Sequence, residues 1–374
     1  MSYKEIISQF IEVAADPGKH AKQARAAGKT VVGCFPVYTP AELVYAAGMF
    51  PIGLWGGQVE INEAKAYIPA FTCSIMQSCL ELGLTGAYDD LSAVIVPSMC
   101  DTFKCIAQDF KVGVPKVRLI QFAHPQMRKI EMGVAYLKGE YQRIREALEQ
   151  VAGKKITEDA IAEAIDIFNA YRQALRRFTG LAQEHVDIVT PLVRHAVIKA
   201  GYFMDKPVYT SLLHELCDGL TTLSISRGSK RVLLTGILAE PNTLLEKLSE
   251  NGLAVAADDL AQETRQFRYD VPTDSGDPMY NLAKWWQVFE GCSMAFDPEK
   301  KRIDMIIDDV KKYDINGVII CMMKFCDPEE YDYPLLKKAL EENGIPELYM
   351  EIDQQSEIDA QAGTRIQAFS EILY

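Results

Sequence analysis

The residues with the widest chemical range in this sequence are its nine cysteines, at positions 34, 73, 79, 100, 105, 217, 292, 321 and 326. A thiolate is a nucleophile, a redox centre and a soft metal ligand. Three of them stand where a secondary-structure element is predicted to begin or end. The stretch "PAFTCSIMQS" puts Cys73 at the start of a helix, "LSAVIVPSMCDTFK" carries a strand into Cys100, and "GVIICMMKFCDPEE" carries another into Cys326. At a helix N-terminus the dipole and the free N–H groups favour a thiolate, and iron and zinc both select sulfur ligands. No C-x-x-C pair occurs, so zinc-ribbon and ferredoxin spacings are absent and any metal site has to be assembled by the fold from distant segments. Packing, free thiol and metal ligation all stay open on these grounds. In apolar surroundings a cysteine is usually a small hydrophobe. Cys321, inside its strand, reads that way, as do Cys217 and Cys292 in predicted helices, and Cys79 and Cys105.

Little else in the sequence proposes chemistry. "AVAADDLAQETRQFRYDVP" puts Asp258, Asp259, Glu263, Arg265 and Arg268 after a strand, which reads either as a solvated, ion-paired loop or as a cleft loop offering charges to a substrate or partner. Asp258, Asp259 and Arg265 are candidates for the latter, and no catalytic base is assigned. Gly28-Lys29-Thr30 resembles the end of a phosphate-binding loop, but Gln23 stands where the earlier glycine belongs. No dinucleotide fingerprint follows a strand, and neither H-E-x-x-H nor G-x-S-x-G occurs. The five histidines are scattered. His124 alone follows a strand-like run, and reads as a hydrogen-bonded loop residue.

The elements that must position these residues alternate between β-rich runs and helical patterns. From "KTVVGCF" to "KVRLIQF", and again from "KRVLLTGIL" to "ELYMEID", the alternation is that of βαβ units with a parallel sheet. Gly252 and Gly344 fall where a helix C-terminus favours a residue tolerant of positive φ. Between the two segments, "RKIEMGVAYLKGEYQRIREALEQV" and "EDAIAEAIDIFNAYRQALRRFTGLAQEHV" carry apolar residues at three- and four-residue spacing, the mark of amphipathic helices. The expected fold is α/β, with two related parallel-sheet domains of Rossmann or flavodoxin-like type and a helical middle segment. Residues 1–125 form the first domain with Cys73 and Cys100, residues 126–228 the helical segment, and residues 229–374 the second domain with Cys326. That middle is either a separate bundle or a set of helices packed over the sheets. Ligands of open α/β sheets bind beyond the carboxyl ends of the strands, which is where Cys100 and Cys326 fall.

Composition bounds the partners. A chain of 374 residues, 48% hydrophobic and 24% charged, is ordinary for globular protein. The formal net charge of −13 argues against nucleic-acid binding, which needs a basic surface. No run approaches the roughly 18 apolar residues of a membrane span, and the N-terminus lacks the apolar core of a signal peptide. The expected location is therefore the cytoplasm, where disulfides are rare.

Four longer phrases carry a resemblance: "GCFPVYTPAELVYAAGMFPIGLWGG", "PAFTCSIMQSCLELGLTGAYDDLSAVIVPSMCDT", "VAADDLAQETRQFR" and "CMMKFCDPEEYDYPLL". Together they resemble the β subunits of the (R)-2-hydroxyacyl-CoA dehydratases of fermentative anaerobes, particularly those acting on lactoyl-, 2-hydroxyisocaproyl- and phenyllactyl-CoA. The similarity covers nearly the whole chain. It implies a heterodimer with a homologous α subunit, each subunit holding one [4Fe-4S] cluster through three cysteines in a cleft between α/β domains. By position the ligands here are Cys73, Cys100 and Cys326, with Cys34 in reserve, and the fourth iron takes a non-protein ligand. The acyl-CoA substrate is held mainly by the α subunit, and the cluster of the β subunit is an electron relay. The resemblance also implies an ATP-dependent iron–sulfur activator protein that supplies one electron. General acid–base catalysis contributes about 10²–10⁴, too little to remove a scarcely acidic β proton. One electron added to the thioester instead gives a ketyl radical that expels hydroxide, acidifies that proton and returns the electron at the end. In the wider family, benzoyl-CoA reductase is a reductive alternative, and a metal-free two-lobed binding module is a non-enzymatic one.

Overall fold

The computed structural model describes residues 1–373. Among them, eight strands form two four-stranded, all-parallel sheets. The first comprises β1 (Val31–Cys34), β2 (Phe50–Gly53), β3 (Ala93–Pro97) and β4 (Arg118–Phe122) in the order β2-β1-β3-β4. The second comprises β5 (Lys230–Gly236), β6 (Leu253–Leu260), β7 (Gly317–Met323) and β8 (Glu347–Ile352) in the order β6-β5-β7-β8. The two related parallel sheets expected from the alternating pattern are thus both present. Their central strands read as continuous apolar runs because helices cover both faces: every residue of "AVIVP" and of "GVIICMM" is buried. The outer strands β4 and β8 keep exposed or half-buried positions between buried ones.

Both sheets change winding direction after their first strand, which places a switch point between β1 and β3 and another between β5 and β7. At the second, Gly236 ends β5 with φ +145°, and a Cβ there would lie 2.2 Å from the Cys321 carbonyl oxygen of β7. Only glycine lets the two backbones approach so closely at the mouth of the switch point.

The helices of the middle segment do not stand apart as a bundle. The helix Glu131–Ala152 packs on β4 and on the helix Pro278–Val288, and the helix Glu158–Ala182 packs on the helices Ala41–Ala46 and Lys206–Thr221. Polar ties reinforce the join. Asn169 donates from Nδ2 to the Val271 carbonyl and accepts the Val271 N–H, while buried Arg128 donates to the carbonyls of Trp286 and Phe296 and pairs with Glu290. One apolar core consequently runs beneath both sheets and the helices between them. A smaller cluster, with Leu233, Val318 and Ile320 against Ile306 and Leu340, lies on the far face of the second sheet. No helix among the described residues is long and apolar enough to cross a membrane.

Candidate metal centre

Cys73, Cys100 and Cys326 occupy the same structural position three times over. Each is the N-cap of a helix: Cys73 of Ser74–Leu84, Cys100 of Asp101–Gly113 and Cys326 of Asp327–Glu342. N-caps favour Ser, Thr, Asp or Asn, whose side-chain oxygen accepts a first-turn N–H. None of these three side chains makes a capping hydrogen bond. No side chain therefore occupies these helix N-termini, although the N–H groups of Met76 and Glu329 already turn back to the carbonyls of Cys73 and Cys326, and the dipoles favour negative charge there. Where a sequence departs from local preference at three separate helices, function is the usual reason.

All three cysteines line one pocket. Its other walls are mainly apolar, including Pro36, Val37, Ile237, Met294, Met323 and Phe325. It opens beyond β3 and β7, at the switch points of both sheets, as open α/β sheets arrange their sites. Phe325, with φ +64°, turns the chain through the left-handed region and delivers Cys326 to the pocket. Among the described residues no three His, Cys, Asp or Glu side chains converge closely enough to hold a single metal ion. The three cysteines share the lining of one pocket without meeting at a point.

Burial pushes the Cys73 thiol up to about 12 and raises Cys100 and Cys326 too, the latter well above the ordinary thiol range. Each thiol also disfavours ionisation of its neighbours, Cys100 acting on Cys73 and both acting on Cys326. First-turn N–H groups, of Ile75 and Met76, of Thr102 and Phe103, and of Glu329, oppose this. Three thiolates could stand in so apolar a hollow only beside a cationic partner.

The remaining cysteines fall elsewhere. Cys34, the reserve candidate, is buried at the end of β1 and faces a neighbouring cavity. Cys79, Cys217 and Cys321 are buried packing residues, as expected. Two expectations are corrected: Cys105 is exposed on its helix, and Cys292 lies in a turn after the helix Pro278–Val288 has ended, near Arg265. His124 is also not the hydrogen-bonded loop residue expected. It is buried against Trp286 and Phe122, and desolvation pushes its pKa down to about 3, so it is neutral.

The charged stretch expected as a loop after the strand is neither solvated nor open to a ligand: Asp258 and Asp259 stand inside β6 itself, and Arg265 lies in the short helix Thr264–Phe267 that follows. Asp258, Asp259, Glu263 and Arg265 are all at most 2% exposed. Asp259 accepts from Arg265 (2.9 Å), Arg268 (2.7 Å) and Arg302 (2.7 Å), while Glu329 accepts from Arg265 (2.9 Å), Arg302 (2.7 Å) and Ser293 (2.7 Å). Burial alone would raise both carboxyl groups, but the guanidinium groups outweigh it and hold both below the usual carboxylate range. Glu329 lies in the first turn of the Cys326 helix, so this network bolts that helix N-terminus to the end of β6. Asp258 pairs with Arg194 and accepts the backbone N–H groups of Leu260 and Thr264. Glu329 and Arg302 escaped the sequence reading. The acidic first turn "DPEE" was the available signal, but such acids are commonly solvated.

A second arm of the network contains His195, whose Nδ1 lies 2.8 Å from Glu263 and whose Nε2 lies 3.4 Å from Glu240. Burial disfavours its charged form, but the two carboxylates prevail and its pKa is raised. A raised folded pKa contributes stability that is complete below the unfolded value of about 6.5 and is lost as pH rises through the folded value. Wild type is accordingly expected to lose more stability than His195→Gln between about pH 6 and pH 9, measured as the shift of its urea midpoint.

Two parallel-sheet lobes, each with cysteine-capped helix N-termini beyond its strands and a shared pocket between them, define a class: a two-lobed, parallel-sheet α/β protein. The chain belongs to the 2-hydroxyglutaryl-CoA dehydratase D-component family, whose model matches residues 36–373. It is 42% identical to the (R)-phenyllactyl-CoA dehydratase beta subunit of Clostridium sporogenes over 99% of both chains. It is 43% identical to the beta subunit of lactoyl-CoA dehydratase from Anaerotignum propionicum over 98% of both. A benzoyl-CoA reductase subunit of Thauera aromatica is 29% identical over 90% of each. The two dehydratases are hydro-lyases.

Proposed function

We propose that this chain is the β subunit of a 2-hydroxyacyl-CoA dehydratase, holding a [4Fe-4S] cluster through Cys73, Cys100 and Cys326. The observation that supports it most directly is the meeting of three N-cap cysteines in one pocket within a chain of this family. The donor set fits the group: soft sulfur ligands, three helix N-termini without side-chain caps and an apolar wall that limits water. When bound, the cluster supplies a site that takes up and releases one electron.

The chain's own residues do the rest of its share. The cysteines fix the group, and first-turn N–H groups stabilise its negative charge, which tunes its potential. Met294, Met323 and Phe325 restrict access of solvent and oxidant. The Asp259–Arg265–Glu329–Arg302 network keeps the Cys326 helix from shifting when the charge of the site changes. In the proposed complex a homologous α subunit would hold the acyl-CoA and an ATP-dependent activator would deliver the electron, and a cluster held here by Cys73, Cys100 and Cys326 would supply a one-electron relay or store for the elimination of water to a 2-enoyl-CoA.

The similarity to a benzoyl-CoA reductase subunit supports a second reading, net reduction rather than elimination. Electron demand separates the two. With the chain, its α partner, the activator and a 2-hydroxyacyl-CoA combined without oxygen, enoyl-CoA is expected to form many times over per electron delivered. One electron or more consumed per product would overturn the dehydratase assignment. Protein that is colourless and free of iron and acid-labile sulfide would overturn the cluster.

A further inference from the structure

Behind the thiol pocket lies a cavity with a charge problem of its own. It is walled by Cys34, Glu42, Trp55, Phe168, Arg172 and Lys206, among others, and shares Pro36 and Val37 with the thiol pocket. Three of its residues are ionisable groups normally found in water, yet Glu42, Arg172 and Lys206 are only 4%, 8% and 5% exposed. Arg172 pairs with Glu42 and also donates to Asn169 (3.0 Å). Lys206 has no carboxylate within ion-pair distance among the described residues. Its ammonium donates to the Gly201 carbonyl and sits 4.9 Å from the centre of the Tyr171 ring and 5.6 Å from that of Phe168.

The cavity walls therefore carry two cations against one anion. Asp205, the next residue back, also attracts the Lys206 charge, but it stands outside the cavity walls and faces Lys29 near the surface (3.9 Å). Cys34 offers no compensation, because burial pushes its thiol up to about 12. Aromatic faces attract a desolvated ammonium, but by less than a buried ion loses in hydration. Lys206 is also the first residue of the helix Lys206–Thr221, where the dipole opposes a cation and favours an anion. Burial accordingly pulls its pKa down to about 8. An anion in the cavity would relieve both strains at once.

We propose that this cavity binds a short-chain organic carboxylate, its carboxylate on Lys206 and its tail against Trp55 and Phe168. The excess of one positive charge matches a monoanion. About 90 Å³ open to the centre of a water-sized sphere corresponds to roughly six to nine waters at ~10–15 Å³ each, room for an acid of a few carbons. The aromatic walls favour such a tail over a fully hydrated inorganic oxyanion. The inference does not depend on the cluster or on the dehydratase reading, since it concerns a different cavity and uses binding rather than turnover.

The test is calorimetric titration of the anaerobically purified chain with acetate, butyrate and inorganic phosphate at constant ionic strength. Acetate and butyrate are expected to bind and to raise the thermal unfolding midpoint, whereas Lys206→Met is expected to bind them about tenfold more weakly or not at all. Equal affinity in wild type and Lys206→Met, no binding by wild type, or binding of phosphate alone would each overturn the proposal. Should Lys206→Met fail to fold, Glu42→Gln removes the competing negative charge instead. Acetate is then expected to bind about tenfold more tightly than in wild type, and unchanged or weaker binding counts against the site.

Discussion

Cys73→Ser, Cys100→Ser and Cys326→Ser are each expected to lose most of the iron and acid-labile sulfide that the wild-type chain carries when purified without oxygen. Cys217→Ser and Cys321→Ser are expected to keep both. Serine preserves size and polarity but replaces a soft sulfur ligand with a hard oxygen. The position of these residues gives the substitution a second, opposite signature. Serine is among the best N-caps, worth about 0.5–2 kcal/mol over a residue that cannot cap, and none of the three cysteines caps its helix. In metal-free protein the three variants are therefore expected to be as stable as wild type, or more so, in urea unfolding. Loss of iron with stability retained separates ligation from folding. Full iron retention in Cys326→Ser would reject the site.

The largest expected effect on stability comes from Arg265→Leu. Arg265 is fully buried and bridges Asp259 to Glu329. Removing it leaves two desolvated carboxylates short of a partner, and breaking a buried pair in this way costs about 3–5 kcal/mol. Because both carboxyl groups have folded pKa values below the ordinary range, their stabilisation is present above the unfolded values of about 4 and is lost as pH falls through the folded ones. The variant's deficit in urea midpoint is thus expected to be largest near neutrality and to shrink in acid. Iron content is expected to fall with stability, since Glu329 belongs to the first turn of the Cys326 helix. By contrast, the exposed Asp101–Lys104 pair lies outside the network, and Asp101→Asn is expected to leave the midpoint where it is. A deficit that does not shrink in acid would argue that Arg265 acts by packing alone.

Individual residues show where sequence reading works and where it stops. Cys326 was separable from Cys321 because a buried parallel strand is a continuous apolar run, and "KFCDPEE" marks where that run stops and a helix starts. The same local logic located Cys73 and Cys100. It failed for Asp258, Asp259 and Arg265 because polarity after a strand is also the signature of a solvated loop. Their partners Arg194, Arg302 and Glu329 come from segments 43 to 64 residues away, and no local pattern encodes such pairing. The same holds for Lys206, whose place in the sequence is an ordinary helix start and whose burial is set by Phe168 and Tyr171 on another helix.

By itself the sequence determined the elements, their parallel α/β alternation and the three cysteines at element boundaries, since propensity, hydrophobic period and capping act over a few residues. The tertiary structure alone decided that these boundaries meet in one pocket, that all three cysteines are N-caps facing it, and that the charges at the end of β6 and just beyond it are buried struts. Convergence depends on strand order: the first strand of each sheet sits inside it, so the helix N-termini following β3 and β7 are carried to the switch points. That order is fixed by packing among segments far apart in the chain.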